Sequence, residues 1–268
     1  MGRISKYAMV GVIFFVIFII ATVPATFVTN TLLDKKAPLK LYNISGSIWS
    51  GKAGVLQFGN QQLEKFEWDL KALSLIFGTI KLDFAFKIKS STATGTVAVS
   101  GFGSGAVSFE DTKFNIKSDD VPDILPIPDP LKLSGPVNID IAELEFSEEM
   151  IPVYAQGQAT WRKSNAILGD KNYQLGEFDL EAYTEDEKVF ITIKDLKKDG
   201  PIEAKLSSEI AEDGSLRVSG ILGTRETADK QLARFARMLL QGKQQTVVDY
   251  KGSIKQPDKI IAGLLTSK

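Results

Sequence analysis

The stretch GSIWSGKAG at positions 46–54 comes closest in this sequence to a motif that could bind nucleotides. Gly46, Gly51 and the lysine that follows have the spacing of a P-loop, in which backbone N–H groups cradle phosphates and a Ser or Thr then binds Mg²⁺. Ala53 occupies that last position and has no oxygen with which to ligate a metal. The next residues, VLQFGNQQLEKFEW, are typical of a strand rather than of a helix start. The stretch therefore predicts a glycine-bounded β-turn or bulge, with Trp49 as a core or interface anchor.

Three other clusters contain residue types that can do chemistry, but each lacks the required spacing. GFGSG (101–105) is glycine-rich, yet no helix pattern follows it, which favours a hairpin connection over a dinucleotide site. The acidic run at 185–187 lacks the ligand spacing of a calcium loop and is typical of a solvated turn. Glu148 and Glu149 are adjacent, and adjacent strand residues point to opposite faces, which argues against a carboxylate pair for glycoside hydrolysis. A Ser–Lys hydrolase would need a nucleophile motif, and the sequence has none.

The composition removes further classes of activity. The 268 residues include no cysteine and no histidine, which excludes disulfides, thiolate nucleophiles, histidine acid–base catalysis and zinc sites built on these residues. The 32 basic and 33 acidic residues give a net charge of −1, so the chain lacks the basic surface that nucleic acid requires. We therefore predict a protein that is not an enzyme, with no cofactor, no metal site and no nucleic-acid partner.

The first thirty residues predict a membrane anchor. Residues 8–28 contain no charged side chain, and 21 residues is about the length that spans a hydrocarbon core as a helix. Arg3 and Lys6 give residues 1–7 a basic character that is predicted to keep them in the cytoplasm, with the rest of the chain translocated. A cleaved signal peptide is the alternative, because the dense apolar run 8–21 suits its hydrophobic region. The poor small-x-small pattern after that run favours an uncleaved, single-pass anchor.

The body of the chain, residues 37–268, predicts a β-rich domain on the far side of the membrane from residues 1–7. The segment TIKLDFAFKIK (79–89) alternates apolar and mostly charged residues, which is typical of a half-buried antiparallel strand. Its apolar face comprises Ile80, Leu82, Phe84, Phe86 and Ile88. FEWDL, EFDLEA and IEAKLSSEI alternate in the same way, and a phase shift in PVNIDIAELEF predicts a bulge or turn near Ala142.

Three segments depart from the strand pattern. VPDILPIPDPL (121–131) has four prolines and predicts a linker or edge covering, which makes it a candidate sub-boundary between two halves. TADKQLARFARMLLQG (227–242) has apolar residues at helical spacing and predicts an amphipathic helix that ends at Gly242. LKALSLIFG (70–78) fits either a short apolar helical turn or a strand crossing.

The predicted fold is all-β and mainly antiparallel, as a curved sheet or a sandwich-like arrangement, with one N-terminal transmembrane helix and one C-terminal amphipathic helix. One such helix is too little to cover the apolar faces of so many strands. The sheet must therefore fold on itself or present an apolar concavity to lipid or to another protein. We predict that the apolar face of 80–88 forms part of such a groove.

The order of these features resembles the type II secretion system protein N family and, more distantly, AsmA-type envelope proteins. The family has a Gly-Thr-Leu-Trp-Ser-Gly motif soon after its anchor, then a Trp-x-Leu strand and a leucine-rich segment that ends in glycine. The matching residues, which we expect to be structural, are Gly46, Trp49, Ser50, Gly51, Trp68, Leu70 and Gly78. The C-terminal strands and helix also fit, whereas residues 90–200 match only in general character.

The resemblance implies an inner-membrane protein with a periplasmic β-rich domain that assists type II secretion across the outer membrane and contacts other secretion-system proteins of the envelope. The similarity to AsmA-type proteins implies an alternative, an envelope module that shields or transfers phospholipid in an apolar β-sheet groove.

Overall fold

A single antiparallel sheet dominates the described part of the chain. The computed structural model describes residues 22–27, 39–58, 61–101, 105–124, 131–197 and 200–256. Fourteen strands in these ranges form the sheet. They are β1 (Leu39–Gly46), β2 (Ser50–Phe58), β3 (Gln61–Leu70), β4 (Ile80–Ile88), β5 (Ser91–Val99), β6 (Val107–Ile116), β7 (Leu131–Ser134), β8 (Val137–Phe146), β9 (Pro152–Leu168), β10 (Lys171–Glu185), β11 (Lys188–Asp195), β12 (Ile202–Ile210), β13 (Ser215–Thr224) and β14 (Gln245–Ser253).

Between residues 39 and 256, the described part of the chain has three short helices beside the strands. Helix α1 (Ala72–Ile76) joins β3 to β4, α2 (Val121–Ile124) follows a 3₁₀ turn at Ser118–Asp120, and α3 (Lys230–Leu239) joins β13 to β14. Within the described residues, no helix is long and apolar enough to cross a membrane. The predicted span 8–28 lies outside the described residues except for 22–27.

The sheet is a meander with one excursion. Each strand pairs with its neighbour in sequence, except that β6 pairs directly with β8, while β7 pairs with the C-terminal end of the 17-residue β9. The hydrogen-bonded sheet therefore continues past the proline-rich segment, of which 125–130 lie outside the described residues. A domain boundary there stays a prediction.

The all-β prediction is confirmed, and the described strands form one sheet rather than a sandwich. The predicted strand at 79–89 is β4, and the predicted bulge is present as a register shift between Ile141 and Glu143 in the β8–β9 pair. The C-terminal amphipathic helix is also present, but shorter than predicted. It begins after Asp229, whose side chain accepts a hydrogen bond from the backbone N of Gln231, and it ends with Leu240 as its C-cap.

The register places one apolar row across ten strands. Each member is paired with the next along the row, and at about 4.8 Å between strands the row is about 43 Å long. Its members are Phe86, Ala93, Phe114, Ile139, Ala159, Leu180, Ile193, Leu206, Gly220 and Val248. The other face of the sheet carries cross-strand ion pairs, such as Lys52–Glu67 and Lys188–Glu209. The alternation seen in single strands thus becomes one continuous apolar face.

This apolar face closes into a core in the C-terminal half of the sheet. The buried cluster comprises Ile151, Ala155, Val189, Ile210, Leu216, Val218 and Val248. It brings Ile151 of the β8–β9 loop together with residues of β11 to β14, so this loop meets the far end of the meander. At the same place, Lys255 Nζ lies 2.7 Å from a carboxylate oxygen of Glu149 in that loop. The apolar residues of β4, by contrast, stay half-buried.

Helix α3 lies at the opposite ends of the strands from this core. Leu232 and Ala233 on its inner side are buried. Gln231 accepts hydrogen bonds from Lys171 Nζ, at 2.9 Å, and from the Tyr173 hydroxyl. The helix is therefore hydrogen-bonded to the start of β10, although the strands that the helix connects in sequence are β13 and β14.

Candidate functional site

The glycine–tryptophan stretch at 46–51 forms the hairpin between β1 and β2. Gly46 pairs with Gly51 and has φ +95°, a backbone conformation that favours glycine. A Cβ on Gly51 would lie 2.4 Å from the indole ring of Trp68 and 2.7 Å from Ser45 O. The indole N–H of Trp68 donates to Ile48 O at 3.3 Å. Both glycines are thus required by the close approach of strand and ring, and the stretch is a structural turn.

The tip of this hairpin is held from both sides. Ser47 Oγ accepts hydrogen bonds from the backbone N of Trp49 and of Ser50, each at 3.2 Å. The half-buried Trp49 accepts a backbone hydrogen bond from Leu70 N at the end of β3. On the other side, Ile48 N donates to Val23 O at 3.0 Å. The hairpin therefore joins the sheet to residues 22–27.

The other chemical candidates lie in turns or form ion pairs. Glu149 pairs with Lys255, and hydrogen bonding to that lysine is the main cause that lowers the pKa of Glu149. Asp186 and Glu187 have positive φ in the β10–β11 turn, and the lysine after Gly51 pairs with Glu67. In the ranges that the structure describes, no three acidic, cysteine or histidine side chains gather in a way that could hold a metal ion.

An apolar groove of about 500 Å³ lies in the middle of the sheet. Strands β8 to β13 supply most of its wall, with further residues from α2 and β7. The groove is lined by Val121, Leu133, Val137, Ile139, Ala159, Thr160, Trp161, Leu175, Phe178, Asp179, Leu180, Ile193, Ile202, Ala204, Leu206 and Leu222. Its exposed surface is almost entirely apolar, so the groove suits a hydrocarbon chain rather than a reacting polar substrate.

The predicted groove residues Ile80, Leu82, Phe84, Phe86 and Ile88 do not line this cavity. Phe86 belongs to the apolar row that continues into the cavity, and all five are half-buried on β4. The alternation of apolar and polar residues in β8, β10 and β12 also places the residues that line the cavity on the apolar face. The sequence does not show which stretch of a long apolar face becomes concave, because that depends on curvature.

One rim of the groove is built around Trp161. Its indole N–H donates to Ser134 O at 3.2 Å, and its ring lies 5.8 Å from that of Phe178, centroid to centroid. A Cβ on Gly135, which has φ +112°, would lie 2.9 Å from the indole nitrogen. The aromatic rim is therefore positioned by a glycine and a carbonyl of the β7–β8 connection.

Helix α2 contributes Val121, which is fully buried at this rim. The preceding residue, Asp120, is also buried and accepts hydrogen bonds from Ser91 Oγ at 2.6 Å, Ser90 Oγ at 2.8 Å and Ser90 N at 3.0 Å. These three hydrogen bonds, which we call the Asp120 clamp, fasten the start of the proline-rich segment to the β4–β5 turn.

The Asp120 clamp predicts a pH-dependent stability. The hydrogen bond from the Ser91 hydroxyl is the main cause that lowers the pKa of Asp120 below its usual 3.8, against the opposing effect of burial. Because the pKa is lower in the folded state, the stabilisation is complete above about pH 5 and is lost as the pH falls through 3.8 toward that lower value. Asp120→Asn should lower the free energy of unfolding by about 1–3 kcal/mol at pH 7 and by much less in strong acid, as measured by urea unfolding across pH.

Asp119→Asn is the matched control for this measurement, because Asp119 is the exposed neighbour in the same 3₁₀ turn. Its pH profile should follow that of the native chain. A loss for Asp120→Asn that is equally large at pH 3 and pH 7 would contradict an ionised clamp.

The opposite wall is fastened by Arg225 at the end of β13. Its guanidinium donates to the carbonyl oxygens of Lys197, Gly200 and Ile202, and forms an ion pair with Asp195 at 2.6 Å. Asp195 in turn accepts a hydrogen bond from Ala204 N at 2.9 Å. Ile202 and Ala204 line the groove, so this network sets the position of that wall.

The fold and the groove define a class: a meandering antiparallel β-sheet protein with an apolar groove. A family model described as Type II secretion system (T2SS), protein N, matches residues 37–248. The chain belongs to this family, as the motif around Trp49 and Trp68 predicts.

Two relatives have the same description. The chain is 25% identical over 175 residues to a Type II secretion system protein N of Vibrio cholerae serotype O1 (strain ATCC 39315 / El Tor Inaba N16961), a match that covers 65% of this chain and 68% of the relative. It is 23% identical over 180 residues to a Type II secretion system protein N of Aeromonas hydrophila, covering 66% and 69% of the two chains. No solved structure matches the chain.

Proposed function

We propose that this chain is a non-enzymatic component of the type II secretion apparatus, anchored in the inner membrane by residues 8–28 with its β-rich domain in the periplasm. Membership of the protein N family over 37–248 carries this proposal. The uncharged 21-residue stretch and its basic flank support the anchor and its orientation.

The structure is compatible with a scaffold role. A sheet thirteen strands wide offers two long surfaces, one apolar and one covered with ion pairs, to other secretion-system proteins of the envelope. The polar face suits transient contacts, since exposed ion pairs contribute little to stability and so remain available for exchange.

Deletion of the gene tests this role in a bacterium that carries both the chain and a type II secretion system. Folded exoproteins should accumulate in the periplasm instead of the medium, and a plasmid copy of the native chain should restore export. The amounts of the other secretion components must be shown to be unchanged. Undiminished export without the chain would contradict the proposal.

A second candidate function is that the apolar groove shields or transfers phospholipid acyl chains. The observation that favours it is the groove itself, about 500 Å³ in volume and almost without polar surface. The apolar row leads from β4, near the anchored end of the sheet, into this groove, which gives a hydrocarbon chain a continuous surface to follow.

Ile193→Glu places a carboxylate in the groove and should abolish phospholipid binding, because an acyl chain would then have to desolvate a charge. The measurement is mass spectrometry of phospholipid that co-purifies with gently extracted protein. Thr192→Glu is the matched control, since the adjacent residue of β11 faces the other side of the sheet. Equal lipid in both variants, or none in the native chain, would contradict lipid handling while leaving the secretion role intact.

A further inference from the structure

Helix α1 and the residue after it present large apolar side chains to solvent. Leu73, Ile76 and Phe77 are 74%, 76% and 84% exposed, and no residue of the helix is buried. The sequence from 72 to 80 carries no charge. Exposed apolar groups concentrated in one short element mark an interaction surface rather than ordinary surface variation.

The backbone of this element is closed by its own hydrogen bonds. Lys71 N donates to Lys81 O at 2.8 Å and closes the base of the loop. At the helix end, Gly78 N donates to Leu75 O and Thr79 N donates to Ser74 O, both at 3.1 Å, with Gly78 at φ +75°. Such an element can leave water without unpaired backbone groups at these positions, which is the condition for entering a lipid environment.

The element lies close to the point where the predicted span ends. Ile48 N donates to Val23 O, and Leu70 N donates to Trp49 O, two residues before α1 begins. Standard backbone and strand spacings place α1 within about 20 Å of Val23. Val23 belongs to the final part of the uncharged stretch 8–28, and the nearby Phe27 is 52% exposed.

The charges at the base of α1 are only partly compensated. Lys71 Nζ lies 2.9 Å from a carboxylate oxygen of Asp69 and 2.6 Å from one of Asp83, so one lysine is shared by two carboxylates. The apolar side chains, and not attraction to anionic headgroups, must therefore drive any contact of α1 with a membrane.

We propose that α1 inserts Leu73, Ile76 and Phe77 into the headgroup region of the bilayer that residues 8–28 enter. This inference rests on the membrane anchoring proposed above. With two points of contact, the span and α1, the first strands of the sheet stand at a fixed height and orientation on the membrane. A short apolar element lying in the interface has this effect without crossing the bilayer.

Single-cysteine labelling of the full chain tests the proposal, because the native sequence has no cysteine. An environment-sensitive fluorophore is attached at Phe77→Cys, at Met238→Cys or at Phe15→Cys, and each protein is reconstituted in phosphatidylethanolamine–phosphatidylglycerol vesicles that contain a nitroxide-labelled lipid. Met238 is the matched control, because it is 68% exposed on α3, which lies at the ends of the strands opposite to α1. Phe15 reports on the span itself. Circular dichroism of each variant verifies the fold.

The label at Phe77→Cys should shift to the blue and lose most of its fluorescence to the lipid quencher, as should the label at Phe15→Cys, while the label at Met238→Cys keeps its emission. Quenching at Phe15→Cys without quenching at Phe77→Cys overturns the insertion of α1 and leaves the anchor standing. A blue shift at Phe77→Cys without lipid quenching also overturns it, in favour of a protein contact. Absence of quenching at Phe15→Cys overturns the anchor and this inference together.

Discussion

Replacing Arg225 with methionine is expected to lower the free energy of unfolding by about 3 kcal/mol. Methionine keeps much of the length of the side chain but removes every donor. The Asp195 carboxylate, only 12% exposed, then loses its charged partner, and the carbonyl oxygens of Lys197, Gly200 and Ile202 lose a donor. Urea unfolding followed by circular dichroism measures the loss.

Arg217→Met separates this effect from the general loss of an arginine. Arg217 lies on β13, the strand that Arg225 follows, but its side chain is 54% exposed and its nitrogen lies 3.6 Å from Asp249. An exposed pair of this kind is expected to contribute less than about 1 kcal/mol. Equal losses for the two variants would show that the Arg225 network is not a special support of the groove wall.

The Arg225 prediction also bears on lipid handling. Ile202 and Ala204, which the network holds, both line the groove. A variant that is still folded should therefore carry less phospholipid than the native chain, if the groove is the binding site. Native lipid content in a destabilised but folded Arg225→Met would contradict that link.

Replacing Gly220 with alanine is expected to destabilise the protein by about 4 kcal/mol, through strained backbone and steric overlap together. Gly220 has φ +142°, and a Cβ there would lie 2.0 Å from Lys205 O on the neighbouring strand β12. Since Gly220 is the one residue without a side chain in the apolar row, β12 can approach β13 closely at this point. The methyl group of alanine would force these strands apart.

Gly176→Ala is the control that isolates the steric part. Gly176 also has a positive φ, +121°, but a Cβ there would meet no atom within 4 Å. This variant should lose only the strain of the backbone conformation, about 1–3 kcal/mol. Thermal unfolding of both proteins compares them directly, and a Gly176→Ala loss as large as that of Gly220→Ala would contradict the steric explanation.

The strands and the C-terminal helix can be predicted from local sequence, because apolar residues recur every two positions in a half-buried strand and about every 3.6 positions in an amphipathic helix. The bulge near Ala142 can be predicted for the same reason. An extra residue interrupts the two-residue period of apolar side chains, and the register shift lies at that position. The helix at 227–242 was predicted too long, because its beginning depends on the side-chain hydrogen bond of Asp229 rather than on apolar spacing.

The secondary structure of the segment 70–78 cannot be predicted from its local sequence pattern. Its run of apolar residues fits a helix or a strand equally well, since a short apolar run has no period. The hydrogen bond between Lys71 N and Lys81 O holds its two ends together, so the chain makes a helical turn and comes back. That bond exists only because β3 and β4 pair.

The sequence by itself determined the all-β class, the amphipathic alternation, the family and the lack of thiol or imidazole chemistry, because each is a property of residue types at short range. Only the tertiary structure decided where the apolar face is concave. The groove depends on the Arg225 network, which joins Asp195 at the end of β11 and Ile202 at the start of β12 to the end of β13. Such contacts result from the register and curvature of many strands together, and no single strand carries that information.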